Sequence, residues 1–172
     1  MIETGLAKLT ARDDGGAFRV VVESPAGSRV KLKYEPDLGA FTLSRPLVVG
    51  LAYPLDWGFV PGTRGPDGDP IDAIVVCDFS TYPGVVIPCR ALALVRLEQN
   101  VKTSRGRQRN DRIVAEPVAA HRSTGALSER MRKELEAFLV AATLFEGKDV
   151  EILGWGSADE AEASVDQARR TA

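Results

Sequence analysis

Gly65-Pro66-Asp67-Gly68-Asp69-Pro70-Ile71-Asp72-Ala73-Ile74-Val75-Val76 runs from a turn crowded with carboxylates straight into an apolar strand. Three aspartates fall within six residues, held by a glycine and two prolines. Gly68 permits a tight turn, and Pro70 stiffens the approach to the strand. So dense a negative charge is costly unless cations neutralise it, and hard divalent ions take oxygen ligands. Asp72 sits just inside the apolar run, where a charge is expensive without a partner. The competing interpretation is ordinary turn chemistry, in which Asp side chains near Gly and Pro cap their own backbone. A calcium-binding EF-hand loop is excluded, because Ile71 stands where a third ligand belongs and no Glu closes a loop.

Working outward, the first two-thirds of the chain reads as short strands separated by Gly and Pro. Residues 18–23 are rich in β-branched side chains and end at Ser24-Pro25. Residues 29–35 alternate, with Val30, Leu32 and Tyr34 on one face and Lys31, Lys33 and Glu35 on the other. A hairpin return follows at residues 38–41. Residues 71–76 and 85–97 are nearly continuous apolar runs, as expected of strands covered on both faces. Residues 112–115 and 149–153 add two more. Short strands at regular spacing with turn signals between them predict a mostly β, closed barrel.

Helices are confined to the C-terminal part, giving an α+β chain overall. Leu127, Met131, Leu135, Phe138, Leu139 and Ala142 form an amphipathic stripe that packs on the core. A second helix starts near Ser157, with Glu160 at capping-box spacing, and is expected to fray at the surface toward Arg169-Arg170. Residues 102–109 (KTSRGRQR) read as a polar, basic loop between strands.

The 172 residues suit one domain, spanning 1–172, with no internal repeat or linker. Hydrophobic residues make up 44% and charged residues 27%, enough for a real core. No apolar run approaches the roughly 20 residues of a membrane span, and the N-terminus lacks a signal-peptide pattern. A cytoplasmic protein without membrane contact is expected. Cys77 and Cys89 lie in strand-like runs without metal-ligand spacing and read as buried, reduced thiols. His121 is the single histidine and has no flanking motif. A net charge of −2 and 6% aromatic residues argue against nucleic acid, including an OB-type binder using the basic loop.

Asp67-Gly68-Asp69-Pro70-Ile71-Asp72 resembles the signature of the family I soluble inorganic pyrophosphatases. Glu23 before Pro25, Lys33-Tyr34-Glu35, Arg45, Tyr53-Pro54 and Gly58-Phe59-Val60-Pro61-Gly62-Thr63 follow in that family's order at nearly its spacing. The likeness runs roughly from residue 20 to residue 155. It implies an OB-like five-stranded closed barrel with two flanking C-terminal helices, and hydrolysis of pyrophosphate with several Mg²⁺ ions, Mn²⁺ or another divalent ion being an alternative. Asp67 and Asp72 would ligate metal, and Asp69 would take the proton of the attacking water. Lys33 and Arg45 would hold phosphate oxygens, with Tyr53 at the cavity wall. Glu23 and Glu35 would join the metal site from behind or through water. By analogy the assembly would be a homo-oligomer, a hexamer.

The likeness breaks at particular residues. Trp57 stands where the family has a second tyrosine. Aligned on Ile113-Val114-Ala115, Gln99 and Asn110 replace two aspartates, and Arg112 replaces a lysine as a phosphate ligand. Asn110 retains an oxygen for the metal but removes a full negative charge, for which Glu98 or Asp111 could compensate. Ala141-Ala142 replace a Tyr-Lys pair that binds the leaving phosphate. Three functions therefore stay open: a pyrophosphatase of altered or reduced activity, a related metal-dependent phosphohydrolase with a different leaving group, and a non-catalytic pyrophosphatase-like subunit.

Overall fold

The computed structural model describes residues 5–101, 105–119 and 126–169. Lys102 and Arg170, at the ends of the predicted basic loop and second helix, and His121 lie outside them. In chain order, a short 3₁₀ turn at Gly5–Lys8 precedes β1 (Phe18–Ser24), β2 (Val30–Glu35), β3 (Ala40–Pro46) and β4 (Asp56–Phe59). Then come β5 (Asp72–Val75), β6 (Val86–Asn100), β7 (Arg107–Arg109), β8 (Arg112–Pro117), α1 (Glu129–Ala141), β9 (Glu151–Gly156) and α2 (Ala158–Gln167).

Five strands close into a ring in the order β1-β4-β5-β8-β6, and β6 pairs back onto β1. All neighbours in the ring are antiparallel except β5 and β8. Closure leaves the ring no free edge. The 15 residues of β6 outrun the ring, and their far end carries β7 and β9. Separately, β2 and β3 form the hairpin, turning where Leu38 N–H donates to Glu35 O at 3.1 Å.

The core lies on both sides of the ring wall. Inside, Phe18, Val20, Val22, Val75, Ile113 and Ala115 pack together, and Ala161 and Val165 of α2 join them. On the outer face, Ile74, Val95, Leu97 and Val114 meet Leu135 and Leu139 of α1. This two-sided cover explains the continuous apolar runs of β5, β6 and β8. Each fully buried Val or Leu contributes about 1.5–3 kcal/mol, so the wall is the stiff frame on which the cavity is built.

Three departures from the sequence reading have physical causes. Over Ala158–Gln167, α2 is docked on the barrel and not loose at the surface: Ser157 and Glu160 complete the capping box, Ala161 and Val165 are buried, and Arg12 pairs with Glu162 and Asp166 at 2.9 Å each. The predicted basic loop is partly strand, because Arg107–Arg109 pair with the end of β6. β4 was not expected. It forms because Gly58 has no Cβ, and one placed there would stand 1.9 Å from Val21 O on β1. Only glycine admits so close a neighbouring backbone.

Candidate active site

β2, β3, the 65–72 turn, the β6–β8 wall and the C-terminal end of α1 enclose a cavity of about 750 Å³. Every residue assigned a site role from the sequence lines it: Glu23, Lys33, Glu35, Arg45, Tyr53, Asp67, Asp69, Asp72, Asn110 and Arg112. Lys31, Lys33 and Glu35 reach it from the same face of β2, as the period of two requires.

The turn is held at both ends. Gly65 N–H donates to Asp69 O at 2.7 Å, Gly68 adopts φ 87°, and Ile71 N–H donates to Thr63 Oγ at 3.0 Å. Gln108 of β7 pins it from the side, its amide donating to Pro66 O at 2.6 Å. Nothing in the sequence marked Gln108, because the contact exists only once β7 folds back along β6.

The three aspartates are placed differently. Asp69 is open, its side chain 64% exposed, with Lys33 Nζ at 3.8 Å. Asp67 accepts from Asp69 N–H and from Asn110 Nδ2, both at 3.1 Å. Asp72 pairs with Arg112 Nη1 at 3.1 Å. Among the described residues no three carboxylates, thiols or imidazoles stand together as a ready-made metal cage.

Arg112 is nearly buried, its guanidinium 5.8 Å from the centre of the Trp57 ring. The same Nη1 donates to Asn110 Oδ1 at 2.5 Å and Asn110 O at 2.9 Å. The Asn110 oxygen proposed as a metal ligand is thus occupied by Arg112. Arg112 Nε is buried with no protein partner, which costs about 1–3 kcal/mol unless water or ligand reaches it. Glu98 and Asp111 do not compensate for the lost carboxylate. Glu98 is paired with Arg107 at 2.6 Å, and Asp111 accepts from Leu97 N–H at 3.1 Å and Arg109 Nη2 at 2.7 Å.

Arg45 also spends its donors on protein. Nη2 donates to Ala142 O at 2.7 Å and Nε lies 3.3 Å from Glu146, so the guanidinium caps the C-terminal end of α1. Where Ala141-Ala142 left the clamp missing, Thr143 and Lys148 line the cavity nearby. The sequence offered no sign of Lys148, which comes in through the turn after α1, where Asn100 N–H holds Lys148 O at 2.7 Å.

Glu23 lies buried at the cavity floor, accepting from Tyr34 N–H at 2.7 Å. Burial pushes its carboxyl up to about 7, opposed by that hydrogen bond and reinforced by the Asp72 charge. Tyr53 is buried against Trp57 and Phe138, and burial pushes its hydroxyl up to about 12. Away from the cavity, Cys77 and Cys89 are free thiols, and burial raises both above the usual range.

The comparisons with known proteins agree on one family. The sequence model of the inorganic pyrophosphatases matches residues 20–172. The inorganic pyrophosphatase of Nostoc sp. is 34% identical over 167 residues, 94% of this chain and 95% of that protein. The enzyme of that name from Streptomyces coelicolor is 36% identical over 156 residues, 87% of this chain and 92% of its own. The crystal structure of inorganic pyrophosphatase from Thermus thermophilus superposes with a TM-score of 0.86 at 29% identity, covering 96% of this chain and 97% of that one. The fold is shared with this group, and the chain belongs to the inorganic pyrophosphatase family.

Proposed function

We propose that this chain, as one domain over residues 1–172, hydrolyses inorganic pyrophosphate to two phosphates with the help of divalent cations, Mg²⁺ foremost. The observation that carries this reading is the open Asp69 carboxylate 3.8 Å from Lys33 in a cavity that Asp67 and Asp72 also line.

The donor set suits magnesium. Mg²⁺ keeps several waters and binds through one or two carboxylates together with substrate phosphate oxygens, with no need of an all-protein cage. Asp67 and Asp69 are carboxylates with lone pairs to spare beyond the bonds described, and Asp72 and Glu35 stand on the same cavity. When bound, such an ion neutralises phosphate oxygens and acidifies water.

The chain's own groups have defined tasks. Water attacks one phosphorus, forming a P–O bond as the bridging P–O bond breaks, and Asp69 takes the water's proton. Lys33 holds a phosphate oxygen as a point charge, and Arg45, opposite Lys31 on the paired strand β3, lines the same cavity. Tyr53 and Trp57 wall the site and exclude bulk water. The test is phosphate release from pyrophosphate with Mg²⁺ and with Mn²⁺, run beside Asp69→Asn. The wild-type chain should turn over, and the variant should lose about 10²–10⁴-fold. Equal inactivity of the two on every phosphoanhydride would leave a non-catalytic barrel.

One observation favours a second reading. With Ala142 and Thr143 lining the leaving-group side, about 750 Å³ is more room than a pyrophosphate needs. A larger phosphoanhydride or phosphate ester would fit, and turnover of nucleotides without turnover of pyrophosphate would select it.

For assembly we favour a homo-oligomer, a hexamer by analogy with relatives. Sedimentation velocity checks it. Among the described residues no helix is long and apolar enough to cross a membrane. A cytoplasmic setting is in keeping with the two unpaired cysteines.

A further inference from the structure

We infer that Arg112, bridged by Asn110, is a built-in cation that occupies the gap between Asp67 and Asp72, so that this chain needs no resident divalent ion there and takes up its metal with the substrate. The inference rests on reading the cavity as a metal-assisted phosphoanhydride site.

A continuous chain of bonds carries it. Asp72 Oδ2 is 3.1 Å from Arg112 Nη1, which donates to Asn110 Oδ1 at 2.5 Å, and Asn110 Nδ2 donates to Asp67 Oδ2 at 3.1 Å. Asn110 works here as an adaptor, since an amide can accept from the guanidinium with its oxygen and donate to the carboxylate with its nitrogen. A carboxylate at position 110 has no donor to offer Asp67. The two aspartates would then repel it, and a multivalent cation would be the natural remedy.

The bridge is fixed. Arg112 and Asn110 flank the start of β8, whose next residues, Ile113 and Val114, are wholly buried. The Arg112 side chain is only 8% exposed and sits by the Trp57 ring. A metal ion seated between Asp67 and Asp72 would have to displace a guanidinium that has lost its water and cannot deprotonate. Arg112 and Lys33 together balance two of the three aspartate charges. The remaining deficit is smaller than a bare aspartate cluster would present, and substrate-borne ions meet it.

Mn²⁺ binding to the substrate-free protein, read from the loss of the free-ion electron paramagnetic resonance signal, tests this independently of turnover. Asn110→Asp and Arg112→Met should each bind Mn²⁺ at least about tenfold more tightly than the wild-type chain. Mn²⁺ should also raise their melting temperatures more than the wild-type value. Asn110→Asp changes one side-chain group and serves if Arg112→Met does not fold. The inference is overturned if the variants bind no more tightly than wild type, or if wild-type protein holds an ion tightly and Asp67→Asn or Asp72→Asn releases it. A wild-type chain that binds as expected yet releases no phosphate would sink the proposed hydrolysis and leave the bridge standing.

Discussion

The two walls of the cavity hold their charges in opposite ways. On the turn at residues 65–72, Asp69 is largely exposed and meets Lys33 at 3.8 Å, beyond hydrogen-bond distance. On the facing wall, Arg112 is sealed against Trp57 with Asp72 and Asn110 on one nitrogen, and Arg45 is spent on Ala142 O and Glu146. An exposed pair can exchange its partner for substrate or metal at little cost. A buried one cannot, because releasing it strands a charge without water. One wall is therefore free to change its partners and the other is locked into the frame, although both present the same kinds of side chain.

The largest test of that contrast is Asp69→Asn. It should lower phosphate release by about 10²–10⁴-fold while shifting unfolding by no more than about 0.5 kcal/mol, as urea titration would show. A large loss of stability would mean that the turn is locked as well. Arg112→Met should do the reverse in metal-free buffer. It leaves Asp72 uncompensated and should cost on the order of 2 kcal/mol, the low side for a broken buried pair because Asp72 is 29% exposed. If it unfolds no more easily than wild type, the two walls are alike. Arg45→Ala removes the Ala142 carbonyl bond and should cost about 1.5 kcal/mol of stability, measured by the same titration. A rise in KM with unchanged stability would instead make Arg45 a free phosphate ligand. The smallest change in stability is expected for Lys33→Met, below about 0.5 kcal/mol. Its mark should be a KM for pyrophosphate raised about tenfold by the loss of one charge-assisted hydrogen bond.

Much of the frame could be read from residue order. Continuous apolarity at residues 85–97 announced a strand covered on both faces, and α1 and the barrel interior provide the cover. Ser157 and Glu160 announced the start of α2, and their reciprocal bonds are present. β4 escaped notice because Asp56 and Gly58 are poor strand formers taken alone. Asp56 accepts from Ala26 N–H, Thr81 N–H and Thr81 Oγ, so its charge is a structural one 25 and 30 residues from its partners. Arg107 likewise read as part of a solvated loop, yet it joins Glu98, Asp149 and Glu151.

Residue order by itself determined the strand periods, the capped helices and a turn dense in carboxylates, because these depend on neighbours within a few positions. The state of each charge was decided only by tertiary structure. Asp67, Asp72, Asn110 and Arg112 come from separate stretches that meet when β5 and β8 lie parallel. Burial and pairing, which set whether a charged group is free to react, arise from that meeting and from no single segment.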